Sequence, residues 1–270
     1  MMTLSRLNHH GRRTEKQFPS TNVALSASMT CFGLLVWVAC SGAVADEMKT
    51  EKRETAAATR FDPVGREMEG WTVHVEPSLL TGEQWEEGAL ALKMLANHLQ
   101  RISILVPQDR LAQLQKVEFW VEHAHGELNG MHYHPSRQWL TDRGFDPRLA
   151  KKIHITHAAE LFSRHQIVKH PAVILHELAH AYHDQVLGFD EPRIEQAFER
   201  AMAAGSYQDV LLYTGRKVRH YGATDHKEYF AEATEAYFYR NDFYPFVAAE
   251  LKQYDPTVYN LLREIWGPLE

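Results

Sequence analysis

The chain has 270 residues, 44% of them hydrophobic, which is enough for one sizeable domain with extensions. Its formal net charge of −6 argues against a broad nucleic-acid-binding surface. Both cysteines, Cys31 and Cys40, lie before Asp46, so the remainder carries neither a disulfide framework nor thiolate metal ligands.

The N-terminus reads as a targeting segment. Residues 1–22 are polar and contain Arg6, Arg12, Arg13 and Lys16; Val23 to Ala45 then contains no charge and has an apolar centre from Cys31 to Ala39. Ala43-Val44-Ala45 is a small-residue cleavage site ahead of Asp46-Glu47. Residues 1–45 are therefore expected to be a signal peptide cleaved after Ala45, which sends the chain to the periplasm or outside the cell. Left uncleaved, the stretch from Val23 is long enough to anchor the chain in a membrane. Trp37 suits a lipoprotein signal on Cys40 poorly, and Thr14-Glu15 does not continue the twin-arginine start at Arg12-Arg13. The charged, Ala- and Thr-rich residues that follow make 46–70 a linker or mobile tail. Ordered structure is expected from near Trp71, in a single domain over 71–270.

Trp71 to Val75 alternates as a strand. Gly82 to Ile104 carries Leu90, Leu92, Leu95, Leu99 and Ile102 at mostly helical spacing, and Leu111 to Leu114 belongs to a short helix. Val117 to Val121 and Lys152 to Thr156 read as strands. Helices are expected from Pro171 to Gly188, from Glu191-Pro192 to near Gly205, over 225–238 and over 244–266. A small mixed sheet followed by several helices is an α+β arrangement. Between the strands, His132 and His134 share a face if extended, so a second metal site is conceivable there. No further ligand residues cluster with them in sequence, and 131–135 reads instead as a surface or substrate loop.

His176-Glu177-Leu178-Ala179-His180 carries the chemistry. Residues four apart share a helix face, so the two imidazoles point the same way and a divalent ion can bridge them. Glu177 follows the first His, where it can reach a water activated by the ion. That is the HExxH arrangement of zinc hydrolases. The pattern is short enough to arise by chance in a chain with 17 histidines. Its setting strengthens it: Pro171 suits a helix start, Gly188 suits a helix end, and neither residue type interrupts the segment between them. Asp184, one turn after His180, either supports a ligand His or caps a solvated end.

Catalytic zinc needs three protein ligands and an open position. The pattern with a later Gly and third His fails here, because His183 and Val186 stand at those places. The better source is the helix over 225–238, where Glu228, Glu232 and Glu235 share one face among small and aromatic neighbours. Buried carboxylates are costly unless paired or bound to metal, which favours Glu228 as third ligand. Asp225 reads as an N-cap with Glu228 at the capping-box position; alternatively Asp225 is itself the last ligand.

HELAH at 176–180, Tyr221-Gly222 and Glu228-Tyr229-Phe230-Ala231-Glu232-Ala233 together resemble the catalytic domain of anthrax lethal factor-like zinc metallopeptidases, which are gluzincins. The resemblance covers about the last hundred residues. It implies a zincin-like fold, Zn²⁺ held by His176, His180 and Glu228, and Glu177 as general base. It also implies Tyr221 as hydrogen-bond donor to the transition state, with His220 as the neighbouring alternative, and Glu232 as second-shell partner of a ligand. The expected function is an exported peptidase acting on a peptide or protein substrate, with no nucleic-acid partner. The rival expectation is a zinc-binding module on the same fold that binds protein partners without turnover.

Overall fold

The computed structural model describes residues 60–269. The signal-peptide reading of 1–45 and the start of the expected linker lie outside the described residues.

The sheet begins earlier than Trp71. β1 (Val64–Met68) forms a hairpin with β2 (Trp71–Val75) through Glu69 and Gly70, whose positive φ values of 51° and 91° make the tight connection. The side chains of β1 are exposed or half-exposed, so no apolar alternation marked it, and the 46–70 linker reading is corrected over that strand. One helical turn at Ser78–Thr81 leads into α1 (Trp85–Leu105) and α2 (Gln108–Leu114). β3 (Phe119–Val121), β4 (Met131–Tyr133), α3 (Arg137–Asp142) and β5 (Ile153–Ile155) follow. The sheet order is β1-β2-β3-β5-β4; β2, β3 and β5 are parallel, and β1 and β4 lie antiparallel on the two edges. Residues 131–133, expected to be loop, are thus an edge strand.

The register gives the sheet two unlike faces. Val73, Phe119, Ile153 and Tyr133 line up across one face, with Val75, Val121, Ile155 and Met131 beside them, all in the main core. On the other face His74, Trp120, His154 and His132 stand in one row. A small second core of Trp120, Leu140 and Leu149 lies outside the main cluster.

The rest of the chain is mostly helical: α4 (Arg164–Lys169), α5 (Val173–Tyr182), α6 (Pro192–Ala204), a two-stranded ribbon of β6 (Val210–Leu211) and β7 (Lys217–Val218), α7 (His226–Phe238), α8 (Ala248–Tyr254) and α9 (Pro256–Trp266). The single helix expected over 244–266 is two, because Pro256 cannot continue α8 and Asp255 instead caps α9 by accepting from the Val258 N–H. α5 packs against α1, β4, β5 and α7. Its Ile174 and Leu178 are fully buried, each contributing about 1.5–3 kcal/mol of burial free energy. After α5 the chain makes one wider π-turn and stops at Gly188, whose φ of 87° favours glycine. Among the described residues no helix is long and apolar enough to cross a membrane.

Candidate metal centre

α5 and α7 pack side by side and bring together residues distant in sequence. His176 Nε2 lies 3.1 Å from His180 Nε2 and 3.2 Å from Glu228 Oε2, and His180 Nε2 lies 3.3 Å from the same oxygen. Donors bound at about 2.0–2.1 Å to one tetrahedral ion sit about 3.3 Å apart, so these three atoms have the spacing of one face of such a site. The group is open on one side, where a cleft of about 620 Å³ is lined by Glu177, Tyr221, His170 and the edge strand β4.

His176 is held from behind. His176 Nδ1 donates to Glu235 Oε1 at 2.6 Å, which leaves Nε2 to face the cleft. The same oxygen accepts from His170 Nε2 at 2.9 Å. Glu235 is therefore the carboxylate that orients His176. Glu232, expected in that role, lies 3.7 Å from His176 Nδ1 and accepts instead from Asn241 Nδ2 at 2.9 Å. The difference is one of helix phase: i+7 from Glu228 comes back closer to the same line along α7 than i+4 does. Glu235 was visible on the right face of its helix, but nothing in sequence singled it out; His170 gave no signal at all. His170, His176, Glu232 and Glu235 form a second cluster with metal-ligating atoms. Its bonds of 2.6 and 2.9 Å are direct hydrogen bonds and leave no room for an ion between those partners.

The electrostatics follow from this crowding. Burial works against a charged His176, yet hydrogen bonds to Glu228 and Glu235 raise its pKa well above the ordinary imidazole value. Burial would push Glu228 up, but hydrogen bonds from His176 and His180 hold it far below the usual carboxylate range. Glu232 is pushed up by burial and by the neighbouring Glu235 charge. Without a metal, a proton on His176 Nε2 must hold the donors together. A divalent ion bound there would replace that proton and neutralise more charge.

The turn Tyr221–Ala223 comes within van der Waals contact of α7 at Gly222. A Cβ there would lie 3.2 Å from Tyr229 Cα and 3.4 Å from Glu232 Cβ, so the residue size sets how closely Tyr221 approaches. The half-exposed Tyr221 hydroxyl sits 3.5 Å from Glu228 Oε1 and lines the cleft. His220 turns inward: it is buried, and its Nδ1 accepts from the Gly222 N–H. Asp225 caps α7, with Oδ1 accepting from the Lys227 and Glu228 N–H groups, and does not join the donor set. Glu177 reaches the cleft from α5, and its Oε2 accepts from the Tyr133 N–H at 2.7 Å. Asp184 pairs with the Tyr133 hydroxyl and with Lys151, so it supports β4 and not a ligand His. His132 and His134 lie on the outer side of β4 and share no three-donor group among the described residues. No family model matches the chain, and neither a curated protein nor a solved structure does.

Proposed function

We propose that this chain is an exported zinc-dependent peptidase of the gluzincin type, with a zincin-like domain and ligands His176, His180 and Glu228. The carrying observation is the three-donor group with 3.1–3.3 Å separations, open to a cleft that also holds Glu177. The donor set of two imidazoles and one carboxylate is one that catalytic zinc takes, and Glu235 behind His176 completes a carboxylate–histidine pair. The motif resemblance to lethal factor-like enzymes supports the same assignment. Export rests on the signal-peptide reading of residues 1–45.

Bound there, the ion would supply Lewis-acid polarisation of the scissile carbonyl and of the attacking water. Glu177 is held through one oxygen by the Tyr133 N–H, which leaves its other oxygen to take a proton from water. As the water oxygen bonds to the carbonyl carbon, that proton passes to Glu177 and then to the leaving amine when the C–N bond breaks. Tyr221 donates its hydroxyl proton in a hydrogen bond to the developing oxyanion.

The test is a peptide-library cleavage assay on zinc-loaded protein and two variants. Glu177→Gln is expected to keep one equivalent of zinc and lose about 10²–10⁴ in turnover. Tyr221→Phe is expected to lower kcat by about 10²–10³ with KM little changed. A zinc-loaded Glu177→Gln protein with near-normal turnover would sink the mechanism. A wild-type chain inert towards every peptide would favour the non-catalytic binding module.

A further inference from the structure

β4 ends the sheet, and its backbone shows which groups it offers. Gly130 O accepts from Thr156 N, and the His134 backbone exchanges bonds with Lys152 O and Lys151 N, so the even-numbered residues spend their backbone groups on β5 and the residues that flank it. Met131 and Tyr133 turn theirs outward; the Tyr133 N–H is taken by Glu177, which leaves the Met131 groups and the Tyr133 carbonyl for an added strand. A second depression opens on the far side of this strand from the metal cleft. It holds about 440 Å³ and is lined by Leu128, His134, Pro135 and Trp139. His132 and Tyr133 line both spaces, so the two adjoin the same strand from opposite sides.

The linings differ in chemistry. The metal cleft contains Glu160, Lys169, Glu228 and Asp242 beside the histidines, whereas no Asp, Glu, Lys or Arg lines the far depression. Burial, with the neighbouring imidazoles of His154, His132 and His125, keeps His134 neutral by lowering its pKa to about 3. Trp139 forms a fixed platform although it is 39% exposed. His134 and Phe145 stack near-parallel to it at 6.2 and 5.7 Å, and the Arg143 guanidinium lies 4.4 Å from its ring centre. A rigid, uncharged, aromatic-floored depression is built for an apolar side chain and needs little ordering when one binds.

We infer that this depression is a specificity subsite for a large apolar, preferably aromatic, side chain of an extended peptide added along β4. The inference rests on the peptidase reading for its register. A strand added to β4 alternates its side chains on the same two faces as β4. Residues beside Met131 and Tyr133 point towards α5 and the donor group; the residue between them lies beside His132 and points into the Trp139 depression. The substrate class is therefore a peptide with an aromatic residue one position out of step with those entering the metal cleft.

The test fixes register with a chelating end. Alanine-based peptide hydroxamates, each with one Phe at a successive position, are titrated into zinc-loaded Glu177→Gln protein, with the free-acid peptides as a parallel series. One Phe position is expected to tighten Kd by about tenfold or more, the scale set by one well-filled apolar pocket. Trp139→Ala is expected to abolish that gain alone, and Leu128→Glu to do the same should the first variant melt early. Trp85→Ala, an exposed Trp away from both spaces, keeps it. No positional gain, or a gain that survives both pocket variants, overturns the subsite. Hydroxamates no tighter than the free acids, with the Phe gain still lost in Trp139→Ala, sink the metal reading and spare the subsite. Cleavage of peptides without positional preference does the reverse.

Discussion

Among the described residues, one buried grouping of histidine and glutamate lies on the outer face of the sheet and another between α5 and α7, and it is the second that offers a candidate metal centre. On the outer face of the sheet His154 Nε2 donates to Glu122 Oε1 at 3.0 Å, His134 Nε2 lies 3.3 Å from His154 Nδ1, and His125 Nδ1 accepts from the backbone of Glu127 and Leu128. Arg60 pairs with the other oxygen of Glu122 at 3.3 Å. The bonds there run on from one partner to the next as a chain. Between α5 and α7 three donors point at one place, and the other nitrogen of His176 is tied to Glu235. Composition is alike in the two groupings; convergence is not. The cause is the backbone. Two histidines four apart on a helix place their Nε2 atoms on one face, while residues facing across strands meet edge to edge and pair off.

The comparison breaks most visibly on removing one carboxylate from each group. Glu228→Ala leaves two ligands where three are the minimum, and zinc affinity is expected to fall by at least about 100-fold. Glu122→Ala is expected to leave one equivalent of zinc bound with unchanged affinity. Metal analysis after dialysis, with chelator competition for affinity, reads both. Zinc retained by Glu228→Ala would move the third ligand elsewhere on α7; zinc lost from Glu122→Ala would mean that the two groupings are coupled.

A finer cut separates the two carboxylates of α7. Glu235→Gln keeps the shape but weakens the charge-assisted bond to His176 Nδ1, and zinc affinity is expected to drop by about 10–100-fold. Glu232→Gln should cost less, since its nearer oxygen, Oε1, is 3.7 Å from that nitrogen and its Oε2 is engaged by Asn241. Competition titrations that rank the two in the opposite order would return Glu232 to the supporting role that the resemblance implied.

The difference between the groupings also marks what the residue order could disclose. Helix periodicity and the four-residue histidine spacing made α5 and the cluster on α7 readable, because both are local patterns. The strands with apolar alternation, β2 and β3, were readable for the same reason. β1 was not, since its side chains face water and only its pairing defines it. β4 was not, because two histidines in a short polar stretch look like loop until β5 lies beside them. The choice of Glu235 over Glu232 depends on the rotation of α7 against α5, and the contact of His170 with Glu235 spans 65 positions. Such facts belong to packing and leave no trace in spacing.

The smallest effect expected is an acid sensitivity that comes from buried histidines outside the metal group. Burial, with the nearby Arg101 charge, lowers His98 to about 4, and burial with neighbouring imidazoles lowers His134 to about 3. Both are neutral in the fold and become charged on unfolding below about pH 6.5. The unfolded state therefore binds more protons, so stability falls as pH drops from about 6.5 towards the folded pKa values and is level above that range. At pH 5.5 each histidine accounts for a loss on the order of 1 kcal/mol. Urea unfolding at pH 7.5 and 5.5, in chelator so that metal release does not contribute, measures the loss as a shift in midpoint. His98→Leu and His134→Phe are each expected to lose about 1 kcal/mol less than wild type between the two pH values. In apoprotein the raised pKa of His176 acts in the opposite sense, its stabilisation being lost as pH rises, but it is common to all three proteins and cancels in the differences. Equal pH dependence in wild type and both variants would show that these two rings titrate normally in the fold, and the acid loss would then have to come from other groups, the buried His183 and His220 or the carboxylates.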